Sequence, residues 1–267
     1  MKKRVVLIGS GNVATHLAIG LKGEYDIVQI YSRKIANADR LARCLERCSP
    51  TDSLANIVSD ADIYIICVPD DIITTIVENV PDNGALWLHT SGTTPLNVLA
   101  KHRAHCGVLY PMQSFSRELS VDWSEVYIFI EGNDRDSLES LHQLAVSMSP
   151  HVMLCNSDNR RILHVAAVFS CNFANHLWCQ ASDLLEENGL SFDAMLPLIR
   201  NTVDKLRTLT PFQSQTGPAQ RGDYEVLARH MAMLDGRRHD IYELLSKSIM
   251  EKAGLYFESI ETSNNKK

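Results

Sequence analysis

Long apolar runs are missing from this sequence: no stretch approaches the ~18 residues that a membrane-spanning helix needs. Positive charge is also short, with 26 lysines and arginines against 32 aspartates and glutamates and a formal net charge of −6. That balance supplies neither a basic surface for nucleic acid nor a polybasic stretch for a membrane. Cysteine gives no framework. The seven cysteines are an odd number without regular spacing, as in a protein that keeps its thiols reduced. His102, His105 and Cys106 form the only cluster with metal-like spacing, in a basic stretch without a clear further ligand, so no metal site is expected. Internal repeats and low-complexity segments are absent. Met1-Lys2-Lys3-Arg4 ahead of Val5–Ile8 has the order of a secretory leader. A glycine turn cuts its apolar part short, however, and a cytoplasmic protein is expected. What is present is an ordinary globular composition, 45% hydrophobic and 22% charged over 267 residues, enough for one large domain or two smaller ones.

The first half of the chain alternates two periodicities. Strand-like runs stand at Arg4–Ile8, Ile27–Tyr31, Ile63–Val68, Ala85–His89, Gly107–Leu109, Val126–Ile130 and His151–Leu154. Helix-like segments between them include Asn12–Leu21, Ile35–Cys48, Asp71–Asn79 and Ser137–Ser147. Alternation of this kind predicts an α/β fold: a doubly wound parallel sheet, helices on both faces, ligands at the carboxyl ends of the strands. After about residue 156 the strand signals stop. A helical pattern runs from Asn159 to Glu187 and closes at Asn188-Gly189. Ser191 is a candidate N-cap for the next helix, which Pro197 is placed to kink. Thr210–Pro218 reads as a loop, helices resume at Asp223–Met233 and Arg238–Glu258, and the tail Thr262–Lys267 is expected to be disordered. The predicted organisation is a sheet domain over residues 1–155 and an all-α domain over 156–267.

The most specific chemistry lies at the first strand. Val5–Ile8 is followed at once by Gly9-Ser10-Gly11-Asn12-Val13-Ala14 and then by a helical pattern. This is the G-x-G-x-x-G/A dinucleotide fingerprint in the order strand, turn, helix. Gly9 permits the sharp turn, Gly11 lets a pyrophosphate approach the backbone, and Ala14 lets helix and strand pack closely. The phosphates would sit on the amides that open the helix, where its dipole favours an anion. At the end of the second strand, an acid would accept from a ribose 2′-hydroxyl; here the place holds Ser32-Arg33-Lys34. An acid would repel a 2′-phosphate, whereas a guanidinium pairs with one. The reading is NADP(H), with Ser32, Arg33 and Lys34 as ligands; the alternative is that both cations are solvated charges opening a helix.

Further candidates stand at the following strand ends. Val68-Pro69-Asp70-Asp71 closes one strand, its two acids reading as a strand-to-helix turn and its backbone at Val68 and Pro69 as a wall of the cofactor crevice. His89-Thr90-Ser91-Gly92-Thr93-Thr94-Pro95 is dense in hydroxyls, suited to gripping a carboxylate or amide, and Thr90 and Ser91 are its candidate ligands. Tyr110-Pro111-Met112-Gln113-Ser114-Phe115 places Gln113 at the same end of the sheet, with Tyr110 and Phe115 as apolar walls. On the first long helix, eleven residues at α-helical spacing return Asn175 to the face of His164, with Asn172 on the flank and apolar neighbours around them. Polar groups on an apolar face need partners. His164 is therefore the candidate proton donor, Asn172 and Ser91 position a substrate, and Asn175 adds a contact; a satisfied core histidine is the alternative. Arg221, in Thr216-Gly217-Pro218-Ala219-Gln220-Arg221-Gly222-Asp223, either clamps an anionic substrate or braces the loop with Asp223.

Taken together, these segments resemble the bacterial Rossmann-like oxidoreductases whose C-terminal half is a helical domain of uncharacterised function, relatives of deazaflavin-dependent NADP reductases and of pyrroline-5-carboxylate reductase. The resemblance rests on Gly9–Ala14, His89–Gly92, Tyr110–Phe115, the stretch from His164 to Asn172, and Thr216-Gly217-Pro218 with Arg221-Gly222-Asp223. It covers nearly the whole chain and implies NADP binding in the first domain and a homodimer built through the helical domain. In related hydroxyacid dehydrogenases a lysine and a nearby asparagine on the first interdomain helix do the acid–base work, and His164 lies near that place. The expected activity is hydride transfer to or from a small carbonyl or imine. Two other readings are an NADP-binding sensor without turnover, and hydride exchange with a deazaflavin, whose ring Trp178 and Phe173 could stack.

Overall fold

Alternation along the first strand sets the layering of the sheet. In β1 (Arg4–Ile8), Val5 and Leu7 belong to one buried cluster and Val6 and Ile8 to the other. Successive side chains of a strand point to opposite faces, so a strand apolar at every position must be covered on both. The first cluster takes its cover from α1 (Asn12–Leu21), α2 (Ile35–Ala42) and, further along the chain, α5 (Arg135–Val146). The second takes it from α3 (Asp70–Asn79) and α4 (Asn97–Ala100). The computed structural model describes residues 1–256, and its chain forms two compact units, Met1–Phe173 and a second that begins at Ala174.

The remaining strands are β2 (Asp26–Tyr31), β3 (Ser49–Thr51), β4 (Ile63–Ile66), β5 (Leu86–His89), β6 (Cys106–Met112), β7 (Tyr127–Gly132) and β8 (Val152–Leu154). They lie in the order β3-β2-β1-β4-β5-β6-β7-β8. This is a Rossmann-like sheet, as the alternation predicts, and the strand order reverses between β1 and β4. The carboxyl ends of β1, β2, β4 and β5 therefore face a common crevice.

Several elements depart from the sequence reading. The sheet is not wholly parallel: β7 runs antiparallel to β6, because the connection from Gln113 to Val126 holds only a 3₁₀ turn and no crossover helix. β6 extends well past the expected Gly107–Leu109. α2 stops at Ala42 instead of Cys48, and the chain goes on to the unexpected edge strand β3, where Pro50 needs no ladder donor. The long helical pattern is not one α-helix. It is α6 (Ser157–Ala167), a π-helix at Val168–Phe173, and α7 (Ala174–Glu187). A π-turn takes more residues than an α-turn, so the α-helical count that puts Asn175 in register with His164 does not apply.

α6 is pinned by its first turn. Asn156 caps it, accepting from the Asn159 amide at 2.9 Å. Arg160, only 1% exposed, donates from Nη1 to Glu131 Oε2 at 2.5 Å and from Nη2 to the Thr94 carbonyl at 2.6 Å. The Ser157 hydroxyl donates to the same carboxylate at 2.8 Å and accepts from the Leu96 amide at 3.0 Å. One buried network thus ties α6 to β7 and to the loop after β5.

The second unit is helical: α7, α8 (Met195–Lys205), α9 (Pro211–Ser214), α10 (Pro218–Arg221), α11 (Tyr224–Ala232) and α12 (Gly236–Lys252). Ser191 caps a short 3₁₀ turn ahead of α8, and Pro197 falls in the first turn of α8, where its missing N–H has no partner to lose and no kink is required. The expected loop at Thr210–Pro218 contains α9, closed by a Thr210–Gln213 capping box, and leads into α10. Asp223 caps α11 by accepting from the Val226 amide at 3.3 Å. Its buried centre is Ala219, Leu227, Met231 and Met250, between α10, α11 and α12. The helix expected at Arg238–Glu258 is α12, which stops earlier, at Lys252, where the chain leaves the helix through Ala253 and Gly254 at φ +75°; the tail from Thr262 lies outside the described residues.

Breaking the Arg160–Glu131 pair strands a carboxylate that is only 18% exposed. Arg160→Met is expected to cost about 3 kcal/mol in urea unfolding, and the double change with Glu131→Leu to recover at least half of that. A single-variant loss below about 1 kcal/mol would show that the network carries little.

Candidate active site

The turn after β1 is shaped by one residue without a side chain. Gly9 sits at φ +130°, and a Cβ there would overlap the Cys67 carbonyl at the end of β4. Its amide donates to the Tyr31 carbonyl at 2.8 Å, so the ends of β1, β2 and β4 are drawn together at this point. Gly11, the N-cap of α1, has open space where its Cβ would stand. No side chain caps α1 and no acid lies in its first turn. Uncapped amides with open space beside them are what a diphosphate requires. The Ser10 hydroxyl donates to the Ser32 hydroxyl at 2.9 Å, joining the glycine turn to the end of β2. A cleft of about 210 Å³ follows, lined by Gly9, Ser10, Gly11, Ser32, Arg33, Val68, Pro69 and Arg117 among others. These residues fit the adenosine half of an NADP molecule: backbone donors that would meet a diphosphate, and a hydroxyl and a guanidinium that would meet a 2′-phosphate.

A second group gathers at the ends of β5 and β6. The Thr90 hydroxyl donates to the Ile66 carbonyl at 3.3 Å, fastening the loop after β5 to β4. The Ser91 hydroxyl accepts from the amides of Thr93 at 3.1 Å and Thr94 at 2.8 Å, which folds the loop and leaves the hydroxyl proton to be donated. Thr93 in turn donates to Asp70. At Gly92 the backbone comes so close to α6 that a Cβ would stand 2.6 Å from His164 Nδ1. His164 Nδ1 and the Tyr110 hydroxyl are hydrogen-bonded at 3.0 Å, with their rings edge to face. Burial raises the Tyr110 phenol above its ordinary value, against the opposing charge of Arg160, so it stays protonated. A histidine and a tyrosine sharing a hydrogen bond, beside a hydroxyl-rich loop at the carboxyl end of the sheet, can hold and deliver a proton.

Not every candidate within the first unit lies with these groups. Asn12 and Val13 belong to the first turn of α1 rather than to the cleft wall, and the Asn12 side chain donates to the Phe115 carbonyl at 2.8 Å. Lys34 is the exposed N-cap residue of α2, and only its neighbour Arg33 lines the cleft. Gln113 accepts from the Ser114 amide at 2.8 Å, folded onto its own loop. Asn172 is exposed in the π-helix. Asn175 and Arg221 are exposed residues of the second unit, Arg221 in the last turn of α10. Three residues escaped the sequence reading in these roles. Tyr110 was an apolar wall there, yet its hydroxyl meets His164. Arg160 and Arg117 are not among the sequence candidates, and only their long-range partners, Glu131 and the Ser10 carbonyl, distinguish them.

Comparison with known proteins gives two family models that match the chain. Residues 4–86 match a coenzyme F420-dependent NADP oxidoreductase model, and residues 126–249 match a domain of unknown function, DUF2520. No curated protein matches. Among solved structures, a Bacteroides fragilis protein assigned as an NADP oxidoreductase is 41% identical, over 94% of this chain and 98% of its own, with a TM-score of 0.88. A Thermotoga maritima protein is 22% identical, over 94% of this chain and 99% of its own, with a TM-score of 0.77. A pyrroline-5-carboxylate reductase from Coxiella burnetii is 14% identical, over 95% of this chain and 98% of its own, with a TM-score of 0.58. The last two share the fold.

His89 carries a testable charge. It is wholly buried at the end of β5, and its Nδ1 accepts from the Ser91 amide at 3.2 Å. Burial, helped by the Arg160 charge, lowers its pKa to about 3. In the unfolded chain a histidine titrates near about 6.5. Between these values the unfolded state binds more protons, so the contribution is complete above about pH 6.5 and is lost as pH falls, by at most about 1.4 kcal/mol per pH unit. His89→Gln is expected to remove that slope from urea unfolding measured below about pH 6. Equal slopes in the two proteins would contradict a neutral, buried imidazole.

Proposed function

The chain belongs to the family of NADP oxidoreductases, and on that premise we propose that it transfers hydride to or from a small carbonyl or imine compound, with His164 as the proton donor. The observation that carries the proposal is the 3.0 Å hydrogen bond between Tyr110 and His164, beside the loop after β5. The cofactor is NADP(H), which supplies the hydride when bound. The amides of the Gly9–Val13 turn hold its diphosphate, Ser32 and Arg33 read its 2′-phosphate, and Val68 and Pro69 wall the cleft.

The protein's own part is binding and the proton. In the imidazolium form, His164 Nδ1–H donates to the Tyr110 oxygen, and the Nε2 proton is left for the substrate. After transfer, Nε2 holds a lone pair while Tyr110 still fixes the ring at Nδ1. Tyr110 thus sets the tautomer and orientation of the acid, as an orienting partner does for a catalytic histidine. Ser91 donates a hydrogen bond from its hydroxyl to the substrate oxygen or nitrogen. Gly92 keeps the loop close enough to α6 for these groups to act on one molecule.

His164→Ala is expected to lower kcat on a responsive keto acid, aldehyde or imine by about 10²–10⁴-fold, and Tyr110→Phe by a smaller factor, with NADPH affinity unchanged in both. Tight NADPH binding without turnover on any of these compounds would favour a sensor instead. Hydride exchange with a deazaflavin is the second reading, favoured by the model that matches residues 4–86. Deazaflavin absorbance changing on titration with enzyme and NADPH would select it.

We also propose a homodimer built through the helical unit. α7 and α8 bury none of their residues and leave Leu177, Trp178, Leu196, Leu198 and Val203 exposed. Helices with such faces need a cover, and a two-fold copy supplies the same face in return. Light scattering is expected to give the mass of two chains; the mass of one chain overturns this.

A further inference from the structure

Between β6 and β7 the chain lays a strap against the cofactor helix. The Phe115 carbonyl accepts from Asn12 Nδ2 at 2.8 Å, and the Ser116 carbonyl accepts from His16 Nε2–H at 2.7 Å. The Phe115 ring stacks on His16 with centroids 5.0 Å apart. Trp123 extends the contact, 5.9 Å from Phe115 and pressed on Gly20 one turn further along α1. His16 is 3% exposed, so the strap is seated on a buried side chain rather than on solvated surface.

These contacts fix Arg117 at the glycine turn. Its Nη2 donates to the Ser10 carbonyl at 2.6 Å, and the residue lines the same cleft as Ser32 and Arg33. Ser10 bonds Ser32 through its hydroxyl, so Arg117 and Ser32 hold opposite ends of one residue. A guanidinium has five donors, and the Ser10 carbonyl takes only one bond from it. Glu118, the next residue, is engaged by the Ser116 hydroxyl.

We infer that Arg117 is a second reader of the cofactor's 2′-phosphate, set by the strap beside Ser32 and acting with Arg33. The diphosphate already has the uncapped amides of α1. The phosphomonoester carries nearly two negative charges, and Arg33, an exposed side chain on the rim, is the one cation of the segment after β2 that lines the cleft. A second guanidinium anchored on the protein backbone supplies the missing charge at low cost in side-chain order, since one of its bonds is made beforehand. NADP(H) selectivity then comes from two places far apart in the sequence, the end of β2 and the strap.

The inference rests on the NADP(H) reading of the cleft, and calorimetric titration separates the two. Wild type, Arg33→Ala, Arg117→Ala and Arg117→Lys are each titrated with NADPH, NADH, 2′,5′-ADP and 5′-ADP. Arg117→Ala is expected to weaken NADPH and 2′,5′-ADP by about 10- to 100-fold while NADH and 5′-ADP change by less than about threefold. Arg117→Lys is expected to restore part of the loss, and Arg33→Ala to show the same selectivity as Arg117→Ala. Equal losses on NADPH and NADH would move Arg117 to the diphosphate or to support of the strap, and overturn the inference. No loss at all would do the same. Wild type that binds neither NADPH nor 2′,5′-ADP would overturn the NADP(H) reading itself, and this assignment with it.

Discussion

The passage of the chain at Gly9, against the Cys67 carbonyl, is the contact on which the rest of the first unit depends. At φ +130° an L side chain is strained, and here it would also have no room. Because that residue is a glycine, β1 ends between β2 and β4, its amide reaches the Tyr31 carbonyl, and the chain turns directly into α1. The amides at the start of α1 are left uncapped at the point where the strand order reverses. The place proposed for the diphosphate is thus set by how the sheet is wound, before any side chain contributes.

A second constraint places the proposed proton donor. Arg160, buried between Glu131 and the Thr94 carbonyl, holds the first turn of α6, and His164 follows four residues later on the same helix face. The same guanidinium touches the loop that carries Ser91 and Gly92. Loop and helix are therefore positioned by one network, and the imidazole arrives beside Tyr110 without needing contacts of its own elsewhere. His89, neutral and buried under that loop, adds its acceptance from the Ser91 amide.

The parts of this arrangement that follow from local pattern are legible in the sequence. Val5–Ile8 before Gly9-Ser10-Gly11 declares a buried strand, a turn and a helix, because periodicity and glycine are local signals. The strand runs from Arg4 to Leu154 follow in the same way, and so does the helical second half. Direction is a different matter: nothing in the residues of β7 says that it runs against β6, since that depends on a connection too irregular to form a helix. The π-helix at Val168–Phe173 keeps a helical apolar pattern while changing the turn, so the register counted across it fails. Pairings between distant residues were invisible. Tyr110 meets His164 54 positions along, Arg117 meets Ser10 107 positions back, and Arg160 meets Glu131 29 positions back. A tyrosine in an apolar strand reads as packing, and an arginine in a polar loop reads as solvated, until its partner is known.

The central claim is that the amides opening α1 receive the diphosphate of NADP(H). Backbone amide NMR of ¹⁵N-labelled protein tests it without a substrate or a variant. On addition of NADPH, the resonances of Gly11, Asn12 and Val13 are predicted to move most, together with Ser32 and Arg33, while those of β7 and β8 stay in place. A spectrum unchanged at saturating NADPH, or changes that leave Gly11–Val13 untouched, would contradict the account.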